Sequence, residues 1–213
     1  MSDDSGIHIG DDNLHRCWWC AAHPDYQEYH DSEWGRPHAN DQLLFEKVCL
    51  EGFQAGLSWL TILKKRHSFR NAFDEFDFSR VARYSDRRVM KLMQDAGIIR
   101  HEGKIRAAIH NAGRAIEMVA EFGSLSAWFW QFEPPARRRP FRSKSAVAAQ
   151  TTCPEAQELA KQLRKRGWKF FGPTTAYAFM QSIGMVNDHL TGCHVFRDVE
   201  AQRTAFSRPR PTQ

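Results

Sequence analysis

No apolar run in the chain approaches the ~20 residues that a membrane-spanning helix needs, so a transmembrane segment is excluded at the outset. The first residues, MSDDSGIHIGDDNLHR, are acidic and contain no hydrophobic stretch, which rules out a secretory signal and points to the cytoplasm. Cysteine is scarce, five in 213 residues. In a reducing compartment Cys17, Cys20, Cys49, Cys153 and Cys193 read as free thiols or metal ligands rather than disulfides. Strand-type alternation is missing throughout, as is any internal repeat, and an all-α architecture is expected. Neither charge dominates: 30 Lys+Arg against 25 Asp+Glu leave a net +5, compatible with a polyanion partner without requiring one.

What the chain does have is helical periodicity and large rings. Seven Trp and fifteen Phe suit a packed interior or stacking surfaces. Helices are expected from Asn40 or Asp41, from Ser58, from Ser85 to Gly97, and over 102–122 with Gly123 as the stop. SLSAWFWQF reads as a short aromatic helix, and PTTAYAFMQSIG as another. TCPEAQELAKQLRKRG carries Thr152 three residues before Glu155, a capping box, and Gly167 after its last turn. A single domain over 15–198 is expected, with two lobes sharing a pocket. Residues 1–14 and 199–213 read as disordered tails. The Pro- and Arg-rich stretch 134–150 reads as a flexible loop, solvated or touching phosphate.

One residue is out of place. In the helix that opens at NDQLLFEKVC, Leu44, Val48, Glu51 and Ala55 recur at i, i+4, i+7 and i+11, which is one face. A carboxylate on that inward face is costly unless something pairs with it. Glu51 is therefore either held by a Lys or Arg or kept for a ligand.

Two further patterns suggest chemistry. Cys17 and His30 near one end, with His189 and Cys193 near the other, offer two thiolates and two imidazoles, a closed tetrahedral Zn²⁺ set that would clamp the termini. Spacing alone leaves Cys20 as a rival ligand and His194 as a substitute for His189. Cys17-x-x-Cys20 is no thioredoxin-like pair, because no βαβ unit surrounds it. The second pattern is GWKFFGPTTAYAFMQSIGMVNDH. A basic helix ends at Gly167, and Gly172 and Pro173 open another whose outward N–H groups could seat a phosphate. It is either a helix-hairpin-helix grip on DNA or an ordinary αα-corner.

RCWW, YHDSEWG, LFEKVCLEGFQAGLSW, LKKR, QDAGIIRHEGKI, WKFFGPTTAYAFMQSIGMVNDH and the closing Cys193 together resemble the bacterial 3-methyladenine DNA glycosylases of the Tag type, in the same order, from Arg16 to Cys193. The resemblance departs in the tails, in 134–150 and in having Cys20. It implies an all-helical, zinc-containing branch of the helix-hairpin-helix glycosylase superfamily, with one structural Zn²⁺ on Cys17, His30, His189 and Cys193. It implies that Glu51 is the catalytic-pocket carboxylate that hydrogen-bonds a flipped base, in its ionised form, and that Tyr29, Trp59, Trp19 and Tyr26 surround the ring. Gln54, Gly56 and Leu57 would fill the gap left in the duplex. Gly172, Thr174, Thr175 and Lys169 would contact the backbone, and Lys64, Lys65, Arg100, Lys104 and Arg166 are further phosphate candidates.

The implied activity is excision of 3-methyladenine from alkylated double-stranded DNA by a monomeric base-excision-repair hydrolase, releasing the free base. Many superfamily members carry an aspartate where this chain has Asn187, with Asp188 next, so no general base is assigned. Thr174 and Thr175 stand where a lyase would have its lysine, which implies a monofunctional enzyme. The alternative is a non-enzymatic, zinc-stabilised helix-hairpin-helix DNA-binding module. A zinc hydrolase would need an open coordination position.

Overall fold

The computed structural model describes residues 4–135, 141 and 143–211, and Arg137, Arg138, Arg139 and Arg142 of the basic stretch lie outside the described residues. A short hairpin, β1 (Ile7–Ile9) and β2 (His15–Cys17), leads into α1 (Pro24–Ser32), α2 (Asp41–Gln54), α3 (Trp59–Ala72), α4 (Phe78–Val81), α5 (Asp86–Gln94) and α6 (Glu102–Phe122). There follow α7 (Leu125–Phe129), α8 (Lys144–Ala149), α9 (Pro154–Lys165), α10 (Pro173–Ser182) and α11 (Phe196–Ala205). No helix among the described residues is long and apolar enough to cross a membrane.

Local chemistry explains the helix starts. Of the two candidates for α2, Asn40 is the cap, accepting from the Leu43 amide at 2.9 Å. Asp41 instead reaches across the fold and accepts the Leu125 and Ser126 amides at 2.9 and 2.8 Å, adding to the Ser124 cap of α7. Ser58 caps α3. The cap of α9 is Cys153, which accepts from Ala156, and not Thr152 as the capping-box pattern suggested. The αα-turn at Gly184 (φ +76°) leaves no room for a side chain, since a Cβ there would lie 2.4 Å from the Arg36 carbonyl carbon.

Helix α2 runs through the middle of the main core, and every residue from Leu44 to Phe53 is buried. The single-face reading of this helix is thus too narrow. Phe45, Phe53, Phe69, Phe73, Phe76, Phe129 and Phe179 fill the space around it, each contributing about 1.5–3 kcal/mol of burial. Charged residues on α2 are accommodated by pairing. Glu46 accepts from Arg66 at 2.6 Å and from Arg70 at 2.9 Å, and the Lys47 ammonium is bound to Glu33.

A second, smaller core of Cys17, Leu190, Cys193, Val195 and Val199 joins the two ends of the chain. Here three expectations are corrected. The stretch 1–14 is not a featureless tail, because β1 pairs antiparallel with β2, Ile7 opposite Cys17; strands of three residues are too short to display alternation. The stretch from 199 continues α11, and Arg208 beyond it binds Glu133 at 2.9 Å. Within 134–150, α8 is a helix whose first-turn amides are taken by Ser143 and Asp4.

Candidate active site

One cavity, of about 230 Å³, opens between the two cores. Ligand sites for drug-sized molecules run to ~300–1,000 Å³, so this one suits a single flat ring system. Its walls are aromatic. Trp18 and Trp19 follow β2, Tyr26 and Tyr29 lie on α1, Trp34 follows α1, and Trp59 opens α3. Glu51 and Gln54 come from α2, Val147 from α8, and Ala178 and Gln181 from α10. Trp19 meets Tyr26 edge-on at 5.6 Å, and Tyr29 lies 5.5 Å from Trp59. The Tyr26 hydroxyl accepts the Leu60 amide at 3.0 Å, which locks α1 to α3. Trp59 Nε1 is buried with no hydrogen-bond partner among the described residues.

Glu51 is 6% exposed, and no described residue hydrogen-bonds or ion-pairs with its carboxylate. The nearest cation on its own helix, Lys47, is committed to Glu33 and sits 4.9 Å from the Tyr29 ring centre. Glu33 also accepts from Arg66 at 2.5 and 2.9 Å. Burial acts to raise the Glu33 pKa, but Lys47 and Arg66 outweigh it and hold the group down to about 2. Glu51 has no such compensation. Burial pushes it up to about 8, opposed only by the more distant charge of Lys47. Burial thus favours the neutral form of Glu51 in the ligand-free protein, whereas the ionised form was expected opposite a cationic base.

All four predicted aromatics and Glu51 converge on this cavity. Trp18, Trp34, Val147, Ala178 and Gln181 were not foreseen. Both tryptophans stand in quoted motifs, but nothing in a tryptophan's local context separates a cavity wall from a core. The tip after α2 places Gln54 on the cavity rim, Gly56 at φ +80° and Leu57 at 42% exposure. At the start of α10, Gly172 supplies no side-chain cap, while Thr174 and Lys169 are exposed and Thr175 is half-buried.

The phosphate candidates divide. Lys64 and Arg100 are exposed. Lys65 donates to the Ala96 carbonyl at 2.7 Å, and Arg166 is paired with Glu121 at 2.6 Å. Lys104 is not a phosphate contact: it is buried and donates to the Phe53 and Ala55 carbonyls at 2.9 and 2.6 Å, holding the end of α2.

Behind the cavity wall, ligand atoms of Cys17, His30 and Cys193 lie within 4.8 Å of one another. His189 is adjacent, its ring centre 4.8 Å from that of His30. Its Nδ1–H donates to Asn187 at 2.8 Å, which leaves the buried Nε2 with a lone pair and no partner. His30 is turned the same way, with Nδ1–H on Asp31 at 2.7 Å. The Cys193 thiol is pushed down to about 4, chiefly by the hydrogen bond from Cys17. One imidazole nitrogen without a partner among the described residues, on His189, and a second, His30 Nε2, 3.4 Å from Cys193 Sγ, with each ring oriented through its other nitrogen, fit together with the two sulfurs a tetrahedral Zn²⁺ site. The rivals are otherwise engaged: Cys20 donates to the Cys17 carbonyl at 3.1 Å, and His194 Nε2 binds Asp31 at 3.0 Å.

Comparison with known proteins gives one consistent result. The family model described as Methyladenine glycosylase matches residues 19–197. DNA-3-methyladenine glycosylase 1 of Escherichia coli is 43% identical over 182 residues, covering 84% of this chain and 96% of that protein. A crystal structure of 3-methyladenine DNA glycosylase I superposes with a TM-score of 0.79 at 45% identity, covering 84% of this chain and 98% of that one. A second, of a variant in complex with 3-methyladenine, gives 0.78 at 30% identity, covering 92% and 99%.

Proposed function

Because the chain belongs to the methyladenine glycosylase family, we propose that its cavity receives a 3-methyladenine nucleotide flipped out of alkylated double-stranded DNA and that the protein hydrolyses its glycosidic bond. The observation that supports this most directly is Glu51, a buried carboxylate among stackable rings with no partner among the described residues. A non-enzymatic DNA-binding module gives such a costly group nothing to do.

The proposed sequence begins with extrusion, since a base inside a duplex is out of reach. Leu57 fills the vacated stack, and Gly56 permits close backbone approach. The start of α10, with Gly172, Thr174, Thr175 and Lys169, grips the backbone in helix-hairpin-helix fashion. N3-methylation makes the nucleobase cationic, so the faces of Tyr29, Trp59 and Trp19 attract it beyond plain stacking. Its arrival favours the ionised form of Glu51, which then accepts a charge-assisted hydrogen bond from the exocyclic amine.

The alkylated base is already a good leaving group. The C1′–N9 bonding pair goes to the base, which departs neutral, and water supplies the hydroxyl to C1′ while its proton passes to solvent. No general base is assigned: Asp188, which accepts from Tyr177 at 2.6 Å and Gln181 at 2.8 Å, does not line the cavity, and the amide of Asn187, which donates to Glu200 at 2.8 Å, cannot take a proton. Among the described residues no lysine lines the cavity to serve as a nucleophile. The reading is therefore a monofunctional, monomeric hydrolase with a structural Zn²⁺ on Cys17, His30, His189 and Cys193. When bound, the ion supplies folding energy and no reaction step. Chromatography of bases freed from methylated duplex DNA tests the reading. Release of 3-methyladenine is expected, and a folded, zinc-loaded protein that releases none would refute it.

A further inference from the structure

Phe170, in the turn between α9 and α10, has φ +56°. That left-handed conformation is unfavourable for a bulky side chain. Phe76 shares it at φ +58°, but its ring is fully buried and core packing offsets the cost. Phe170 has no such return, being 46% exposed. The strain is imposed from inside. Asn111 on α6, only 4% exposed, accepts the Lys169 amide at 2.9 Å and donates to the Lys169 carbonyl at 3.0 Å. Both backbone groups before Phe170 are thus clamped, and the ring is held outward. It stands edge-on to His101 with ring centres 6.2 Å apart. Its carbonyl oxygen lies 3.4 Å from where a Cβ on Gly52 would be, against the last turns of α2. The same groove contains Lys104, which holds the tip that presents Leu57. Lys169 is exposed beside it.

A costly backbone state that persists in an over-determined setting is a sign of function. We propose that Phe170 is a second DNA-contacting wedge, packing its ring against the deoxyribose and base faces of the strand that Leu57 opens. Lys169 matches the phosphate charge there. Apolar rings used this way pack on sugar and base without reading sequence. This inference rests on the reading that the α2 tip and the α9–α10 turn face duplex DNA.

The test is Phe170→Gly, which deletes the ring and relieves the left-handed strain together. Affinity is measured by fluorescence anisotropy on a duplex carrying a tetrahydrofuran abasic site, with melting temperature and binding of free 3-methyladenine measured in parallel. Expected are a roughly ten-fold weaker duplex Kd, an unchanged or raised melting temperature, and unchanged free-base binding. The slope of log Kd against log salt should not move, because no phosphate contact is lost. Phe170→Tyr should restore the duplex affinity. An unaltered duplex Kd in Phe170→Gly, or a melting temperature that falls by several degrees with it, overturns the proposal by making the ring inert or structural. Wild-type protein that binds the free base but no duplex overturns it too, while leaving the cavity reading intact. Binding of neither probe would sink both.

Discussion

Glu51→Gln should make the protein more stable and less active at once. The carboxyl rises from 4.5 to about 8 on burial. For an acid raised by folding, the native state holds its proton where the unfolded state has lost it. The associated stability is fully present below pH 4.5 and is lost as pH climbs towards 8. At pH 7 the loss is roughly 2–4 kcal/mol. A neutral amide of the same shape does not suffer it, so Glu51→Gln should melt roughly 5–12 °C higher at pH 7, with little difference at pH 4. The functional effect runs the other way. For a cationic nucleotide that requires the ionised form, kcat/KM reports the pKa of the free enzyme. Wild-type excision should rise about ten-fold per pH unit up to about 8 and then level off. Glu51→Gln should flatten that profile and lower its plateau by about 10–100-fold, the worth of a charge-assisted hydrogen bond of ~1.5–3 kcal/mol. The assay is single-turnover release of labelled 3-methyladenine across pH 6–9 (approximately that window), beside thermal melts in the same buffers. A flat wild-type profile, or a Glu51→Gln protein no more stable at pH 8 than wild type, would refute the reasoning.

Three other perturbations have definite expected outcomes. Metal analysis should find one zinc per chain, and chelation should lower the melting temperature and abolish free-base binding together, whereas loss of activity from a protein that still binds base and melts normally would indicate a catalytic ion. Glu33→Gln leaves the buried ammonium of Lys47 without its partner and should cost about 3 kcal/mol in denaturant titration; in wild type the Glu33 contribution is present above pH 4.5 and is lost as pH falls towards 2. Lys104→Met frees two carbonyls at the end of α2, so excision from DNA should fall while free 3-methyladenine still binds, and equal losses in both would show that the lysine supports the cavity itself.

How much of this was legible depended on whether the signal was local. Helix starts with side-chain caps could be read because donor and acceptor lie within three residues, as with Asn40 and Ser58. Glu51 could be singled out because a carboxylate is conspicuous among apolar neighbours whatever surrounds it. Lys104 was misread for the converse reason: a lysine in a polar stretch looks like surface, and its burial depends on carbonyls 49 and 51 residues away. Asp41 stands beside Asn40 as an equal candidate to start α2 in the sequence, yet its partners lie 84 and 85 residues on. Nothing in residues 144–149 announces that Val147 walls a cavity, since α8 is held there by Asp4, 141 residues earlier. The β1–β2 pair was invisible because three residues per strand leave no periodicity to detect.

The placement of the candidate metal ligands shows what a structural ion there would hold together. Cys17 immediately precedes Trp18 and Trp19, and His30 immediately follows Tyr29. The His189 ring packs 4.6 Å from Trp34, which in turn meets Trp19 at 5.0 Å. Glu51 and Trp59, by contrast, are carried by α2 and α3 of the main core. The cavity is therefore assembled from two bodies, one aromatic wall set by the small terminal core and one charged wall set by the large one. A small core of five buried residues has little apolar area with which to hold bulky rings against a stacking ligand. A tetrahedral ion at its centre would supply that rigidity. On the proposed function, selectivity would follow from geometry and charge together. Stacking alone would accept any purine, but only a cationic one returns the free energy needed to ionise Glu51 in a dry site. On that reading normal adenine, being neutral, would gain stacking and at most a neutral hydrogen bond from the carboxyl, without the charge-assisted and cation–π contributions.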